Sequence, residues 1–195
     1  MEHYFTNNEN LKSEFRKINY SYKDSSFTFT SDLGVFSKNK VDYGSKVLVE
    51  TILNMNFTNK RILDVGCGYG FIGIVLSKIT NSYVDMIDIN KRAVHLSLMN
   101  IENNKVNASA FISDAYENIK ETYDYIVTNP PIRAGKQKVL EVLLNAKEHL
   151  NKNGILYYVI RKDQGAISIS EKLKGIYNVE LLKKDKGFYI YKATF

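Results

Sequence analysis

From Arg61 to the end of the chain, short apolar runs alternate with amphipathic stretches, and this alternation limits the fold more than any other feature. Strands are predicted at 61–65, 83–88, 108–112, 123–128, 154–161, 177–182 and 187–193, with helices near 70–79, 90–103, 137–150 and 163–174. Such strand–helix alternation is the mark of an α/β fold, a parallel sheet covered on both faces. The run Gly154-Ile155-Leu156-Tyr157-Tyr158-Val159-Ile160 has the continuous apolar content of a central strand. The last two strands are joined by Lys183-Lys184-Asp185-Lys186, too short for a helical crossover. They must therefore run antiparallel.

The segment before Arg61 reads differently. Lys17-Ile18-Asn19-Tyr20-Ser21-Tyr22 and Phe27-Thr28-Phe29-Thr30 alternate apolar and polar about the turn Lys23-Asp24-Ser25-Ser26, which predicts a small hairpin against one edge of the core. Gly44-Ser45 then opens an amphipathic helix with Val47, Leu48, Thr51 and Ile52 on its apolar side. At 195 residues and 44% hydrophobic, residues 1–195 are expected to form one domain, with 1–36 as an appendage. A chain of this size buries roughly 70% of its unfolded surface. No apolar run approaches the ~18 residues of a membrane span, and the polar start Met1-Glu2-His3-Tyr4-Phe5-Thr6-Asn7-Asn8 does not read as a signal peptide. The single Cys67 excludes an internal disulfide and fits a reducing cytoplasm. His3, His95 and His149 are scattered and give no ligand spacing with Cys67, so no metal is expected.

Two motifs carry chemistry. In Ile62-Leu63-Asp64-Val65-Gly66-Cys67-Gly68-Tyr69-Gly70 a strand runs into a glycine turn, and Phe71-Ile72-Gly73-Ile74-Val75-Leu76 follows as a buried helix. Glycines let a ligand lie against the backbone, and the helix start adds unpaired N–H groups. Gly68-x-Gly70-x-x-Gly73 also satisfies the dinucleotide fingerprint, so a nicotinamide enzyme is a competing reading. Asp64 argues against it, because a carboxylate there repels a pyrophosphate and suits a ligand with an amino group and a sulfonium. Asp88 ends the next strand at the spacing for gripping ribose hydroxyls, a feature both cofactor types share. The second motif is Asn129-Pro130-Pro131-Ile132-Arg133-Ala134-Gly135, after the apolar run Tyr125-Ile126-Val127-Thr128. Each Pro lacks an N–H and extends the residue before it. The result is a stiff turn offering an amide side chain and carbonyl oxygens, suited to gripping a planar amine. Cys67 reads as a backbone contact to the cofactor, Asn90 as a helix cap, and Asn100 as a polar helix position.

Together these residues resemble the class I S-adenosylmethionine-dependent methyltransferases. The closer likeness is to the bacterial small-subunit ribosomal RNA guanine-N2 methyltransferases in a short, single-domain form. Thr30-Ser31-Asp32-Leu33-Gly34-Val35-Phe36-Ser37 and Val41-Asp42-Tyr43-Gly44-Ser45 are similar to that family's segment before the cofactor loop. Asp64-Val65-Gly66-Cys67-Gly68-Tyr69-Gly70 is similar to its cofactor loop, and Asn129-Pro130-Pro131 to its catalytic turn. Many Asn-Pro-Pro enzymes follow the second Pro with an aromatic that stacks on the target base; here Ile132 stands there.

The resemblance implies a Rossmann-like sheet of seven strands, six parallel and the last reversed. It implies a catalytic turn of Asn129, Pro130 and Pro131, and cofactor contacts at Asp64, Gly66, Cys67, Gly68, Gly70, Asp88 and Asp114, the last accepting the adenine amine. Phe36, Lys38, Arg133 and Lys136 are candidate substrate contacts, with Lys40 beside them; the charge run at 183–186 reads as a solvated turn. The net charge of +6 is compatible with an RNA partner, although Lys, Asn and Ile are abundant throughout. The expected substrate is ribosomal RNA or a small-subunit particle, in the cytoplasm. Longer relatives carry a second, degenerate copy of the domain that helps bind RNA, which leaves a homodimer or a helper protein as ways to supply that surface. Asn-Pro-Pro also serves adenine-N6 and protein glutamine methylation, and an inactive RNA-binding protein of the same fold is a further alternative.

Overall fold

The computed structural model describes residues 12–37, 39–55 and 57–195. The strands β3 (Arg61–Val65), β4 (Tyr83–Asp88), β5 (Ala108–Ile112), β6 (Tyr123–Thr128), β7 (Leu150–Arg161), β8 (Asn178–Asp185) and β9 (Phe188–Thr194) form one sheet in the order β5-β4-β3-β6-β7-β9-β8. β3 is parallel to both β4 and β6, β4 to β5, and β6 to β7, while β9 runs antiparallel to β7 and β8. The reversed strand is thus β9, slotted between β7 and β8. The reversing turn is tighter than the sequence pattern predicts. Lys183, Lys184 and Asp185 belong to β8, and Asp185 pairs with Phe188 across Lys186 (φ 45°) and Gly187 (φ 82°). Positive φ at both central residues is the two-residue hairpin geometry that matches strand twist.

Helices α1 (Tyr43–Leu53), α2 (Phe71–Thr80) and α3 (Lys91–Asn104) cover one face of the sheet, and α4 (Lys136–Asn145) and α5 (Ala166–Leu173) the other. The pleat decides which residue goes where. Along β7, Tyr157 and Val159 enter the core under α1 and α2, while Leu156, Tyr158 and Ile160 enter the core under α4 and α5. A strand buried on both faces needs apolar residues at every position, which explains its unbroken apolar run. Gly73 matters for packing: a Cβ there would stand 2.5 Å from the Met86 sulfur, so α2 approaches β4 as closely as only glycine permits.

Two predicted helices are shorter than their patterns. α4 gives way to a 3-10 turn at Ala146–His149 before β7 begins early at Leu150, and Gly165 (φ 89°) separates the 3-10 turn Lys162–Gln164 from α5. The N-terminal hairpin, β1 (Arg16–Tyr22) and β2 (Ser25–Ser31), packs on the helical layer, with Ile18, Tyr20, Phe27 and Phe29 joining the core under α1 and α2. Asn100, expected to be a plain polar position, is wholly buried and holds it there. Its Oδ1 accepts from Thr30 N–H (2.7 Å) and its Nδ2 donates to the Thr30 carbonyl (2.9 Å) and to the Tyr69 carbonyl (2.8 Å). Asn104 repeats the pair on Thr28, at 3.2 and 2.9 Å. Four residues of helix rise about 6 Å and two residues of strand about 6.6 Å. Two amides one helical turn apart therefore act as a partner strand for the β2 edge. Tyr20 packs edge-on to Phe71 at 5.0 Å, and Phe29 meets Tyr69 at 5.7 Å.

Candidate active site

A cavity of about 600 Å³ opens where the carboxyl ends of β3 to β7 meet the start of β9, within the size range of small-molecule sites. Its floor continues the β3–β4 ladder, because the N–H groups of Gly66 and Cys67 both donate to the Ile87 carbonyl, at 2.8 and 3.0 Å. Gly66 (φ 74°) and Gly68 (φ 58°) then turn the chain, and a Cβ on either would meet nothing within 4 Å. The backbone there is open to a ligand. Asp88, at the end of β4, is tied to this loop: its Oδ2 accepts from Gly68 N–H and its Oδ1 from Asn90 N–H, each at 2.9 Å. Burial pushes its carboxyl up to about 6, opposed by these backbone bonds.

Asp64 is set apart from the cavity wall by the pleat. It shares a strand face with Ile62, so its side chain lies under α2, where Oδ2 accepts from Gly73 N–H at 2.9 Å. Its Oδ1 has no hydrogen-bond partner among the described residues, and burial lifts the carboxyl to about 7, with Asp88 adding to the shift. The Cys67 thiol is also buried and is pushed well up by burial and by Asp88 and Asp64, which keeps it protonated and no nucleophile at neutral pH. Asp114 lines the cavity with its carboxylate on Lys138 Nζ at 2.7 Å. Asn90 caps α3, its Oδ1 accepting from Arg92 N–H at 2.9 Å, and its Nδ2 donates to the Gly34 carbonyl at 3.2 Å. Arg92 reaches the buried Asp32 carboxylate at 3.1 Å and the Leu33 carbonyl at 3.0 Å. The loop that carries Val35 and Phe36 to the cavity is thereby fastened to the β4–α3 junction.

Across the cleft, Thr128 Oγ1 donates to the Val65 carbonyl at 2.8 Å, and the chain leaves β6 into its only two prolines. Pro131 (φ −74°, ψ 78°) is the centre of a tight turn in which the Pro130 carbonyl accepts from Ile132 N–H at 2.8 Å. The Asn129 amide is fixed by α1. Its Nδ2 donates to Asp42 Oδ2 and to Ser45 Oγ, each at 2.9 Å, while Asp42 Oδ2 also caps α1 by accepting from Ser45 N–H at 2.8 Å. A carboxylate only accepts hydrogen bonds, so the amide must turn its NH₂ to Asp42 and keep Oδ1 for something else.

The cavity gathers most of the residues singled out by sequence: Gly66, Cys67, Gly68, Asp88, Asp114, Phe36, Asn129, Pro130, Pro131 and Arg133. Gly70 instead caps α2 with φ 89°, and Lys136 is exposed with its Nζ on Ser168 Oγ at 3.1 Å; neither lines the cavity. Lys38 lies outside the described residues. The sequence reading assigned no role to Asp42, Ser45, Lys138, Arg161 or Phe188, which also line it. Only Asp42 left a signal, an acid three residues before Ser45 at a helix start.

Residues 26–192 match the methyltransferase small domain family. The chain belongs to that family. It is 43% identical to protein YbxB of Bacillus subtilis (strain 168), covering 98% of each chain. It is 32% identical to the ribosomal RNA small subunit methyltransferase C of Aliivibrio salmonicida, covering 94% of this chain and 54% of that one. The chain thus spans about half the length of that ribosomal RNA enzyme. In fold it matches the Thermus thermophilus 16S rRNA N2 G1207 methyltransferase (RsmC), solved with AdoMet and guanosine, at a TM-score of 0.85 and 24% identity, over 94% of this chain and 51% of the other. The protein is a methyltransferase, and its cofactor is S-adenosylmethionine. The cleft fits that group. Open backbone at Gly66 and Gly68 would receive it, and the Asp88 carboxylate on the cavity wall, once ionised, would supply the negative potential a sulfonium cation favours.

Proposed function

We infer that this enzyme methylates an exocyclic amine of RNA, the N2 of a guanine in ribosomal RNA. The observation that carries the reading is the Asn129 amide, whose NH₂ is held by Asp42 and Ser45 while its oxygen is left to accept. Beside it the Pro130 carbonyl spends one lone pair on Ile132 N–H and keeps the other. Two fixed acceptors on one wall of a cleft suit a planar amine with two N–H groups. An exocyclic guanine amine shares its lone pair with the ring and is a poor nucleophile. Accepting both N–H bonds draws the nitrogen toward tetrahedral geometry, aims its lone pair across the cleft and stabilises the positive charge it develops. When bound, S-adenosylmethionine supplies a methyl group on a sulfonium whose departure as a neutral thioether needs no assistance. The enzyme's task is therefore positioning, and the target base must first leave its stack.

Ribosomal RNA is supported by the relatives whose names give that substrate, by the net charge of +6 and by Arg133 on the cavity wall. Such a substrate places the enzyme in the cytoplasm. The deciding experiment is methyl transfer from labelled cofactor into ribosomal RNA of a strain lacking the gene, followed by nucleoside mass mapping. A target in which guanosine is replaced by inosine, which lacks the 2-amino group, is expected to accept no methyl. Methylation that persists on inosine, or that falls on adenine or on a protein glutamine, would refute the guanine assignment.

A further inference from the structure

An unstacked base needs an apolar or aromatic wall to lie on while its amine is held. Among the described residues, four aromatic side chains line the cavity: Phe36, Tyr69, Phe71 and Phe188. Tyr69 and Phe71 are each only 4% exposed and are committed to Phe29 and Tyr20 of the hairpin. Phe36 rides on the loop that Asn90 and Arg92 fasten beside Asp88, on the cofactor side of the cleft. Phe188 stands on the other side.

Its position follows from register. Thr128 of β6 pairs with Tyr158 of β7, and Arg161 of β7 pairs with Phe188 of β9. Phe188 therefore lies beyond Asn129 along the direction of β6, toward the cleft mouth, by about two residues or roughly 6.6 Å. Val159 and Ile190 enter the core under α1, so Arg161 and Phe188, two residues along each strand, project on that same face. There the ring lies against the first turn of α1. A Cβ on Gly44 would stand 2.7 Å from the Phe188 ring and 3.2 Å from the Asp42 carboxylate that holds the Asn129 amide. Glycine at 44 is what lets an aromatic ring come so near the anchor of the catalytic turn. The ring is braced: the Arg161 guanidinium, itself on Asp163 at 2.8 Å, lies 5.5 Å from its centroid, and Tyr43 packs at 5.8 Å. It is half-buried and lines the cavity.

We propose that Phe188 is the wall on which the acceptor nucleobase stacks, placed by the β8–β9 hairpin beside the Asn129 amide that grips its amine. The inference deepens the proposed RNA activity and rests on it. It assigns the last hairpin a part in substrate recognition, and it makes the aromatic wall come from the end of the chain, where the residue after the catalytic prolines is Ile132.

The chain contains no tryptophan, so F188W introduces a single indole where the base is to lie. With S-adenosylhomocysteine present, addition of a guanosine-containing ribosomal RNA fragment should quench the emission of F188W while leaving that of F36W largely unchanged. Anisotropy of the labelled fragment measures binding separately. F188A and F188L should raise KM for RNA by roughly 5- to 150-fold, the loss of one stacked base, with cofactor Kd unchanged, and F188W should restore it. Bound RNA that leaves the F188W emission unmoved, quenches F36W instead, or shows unchanged KM with F188A would overturn the assignment. RNA that binds and quenches but is methylated at another atom would refute the guanine reading and leave Phe188 as the stacking wall. RNA that does not bind at all would overturn both.

Discussion

Asp42 does two things with one oxygen, and they can be separated. Oδ2 accepts from Ser45 N–H at 2.8 Å, capping α1, and from Asn129 Nδ2 at 2.9 Å. Removing an N-cap costs about 0.5–2 kcal/mol of stability. Removing a hydrogen bond to a charged group costs about 1.5–3 kcal/mol. The second loss frees one of the two tethers on the Asn129 amide, the other being Ser45 Oγ. If the tether matters only when the acceptor amine is gripped, that energy appears in the transition state, and kcat falls roughly 10- to 150-fold. Asp42→Ala should therefore lose both stability and turnover. Asp42→Ser separates them, because serine caps a helix as well as aspartate but its shorter side chain cannot also reach Asn129. Its urea midpoint should return to near the wild-type value while turnover on RNA stays low. Cofactor Kd, measured by calorimetry, should be unchanged in both, since the tether lies on the acceptor side of the cleft. An Asp42→Ser enzyme turning over at the wild-type rate would show that the carboxylate does not set the amide and would remove the main support for the gripping role of Asn129.

Asp88→Ala should weaken S-adenosylmethionine binding by roughly 10- to 150-fold, the cost of losing a charged hydrogen-bonding partner; unchanged affinity by calorimetry would take Asp88 out of the site. The folded protein holds protons on Asp88 up to about 6 and on Asp64 up to about 7, against about 3.9 for an unfolded aspartate. The protonated forms thus favour the ligand-free fold; their contribution is full below about pH 4 and is lost as pH rises through 6 to 7. Tm of the ligand-free protein should fall over that window, while affinity for the cationic cofactor rises as the carboxylates ionise, with proton release visible in buffers of different ionisation enthalpy. A cofactor Kd flat from pH 5.5 to 8 would contradict this. Asn100→Ala leaves three buried backbone groups of Thr30 and Tyr69 unpaired, at about 1–3 kcal/mol each where no water reaches them. A loss of at least about 3 kcal/mol in urea unfolding is expected, and one below about 1 kcal/mol would mean the hairpin is not held by this side chain.

The alternating pattern after Arg61 contains the sheet almost complete, because a strand buried on both faces and a helix buried on one must show those periods in the residues themselves. The glycine turn at 66–70 and the Asn129-Pro130-Pro131 turn are equally local: positive φ and the missing N–H of proline are written in single residues. What could not be read is whatever depends on two distant segments meeting. Lys183, Lys184 and Asp185 look like a solvated turn until β9 pairs with β8 and draws them into a strand. Asn100 looks like a surface helix position until β2 arrives with unpaired backbone groups for it to satisfy.

The same division runs through the site. Residue type and spacing along the chain single out Asp88 and Asn129 as candidates for addressing cofactor and acceptor, since Asp88 ends one strand and Asn129 follows another at the edge where α/β sheets bind ligands. Only the tertiary structure shows that the pleat turns Asp64 under α2, away from the cavity wall. Only it shows that α1 brings Asp42 and Ser45 to the Asn129 amide and that the final hairpin sets Phe188 beside them. Local chemistry is carried by one residue and its neighbours in the chain. The direction in which that chemistry points is set by contacts between residues far apart in the chain, 87 positions for Asp42 and Asn129 and more for Gly44 and Phe188, and such contacts exist only once the sheet has formed.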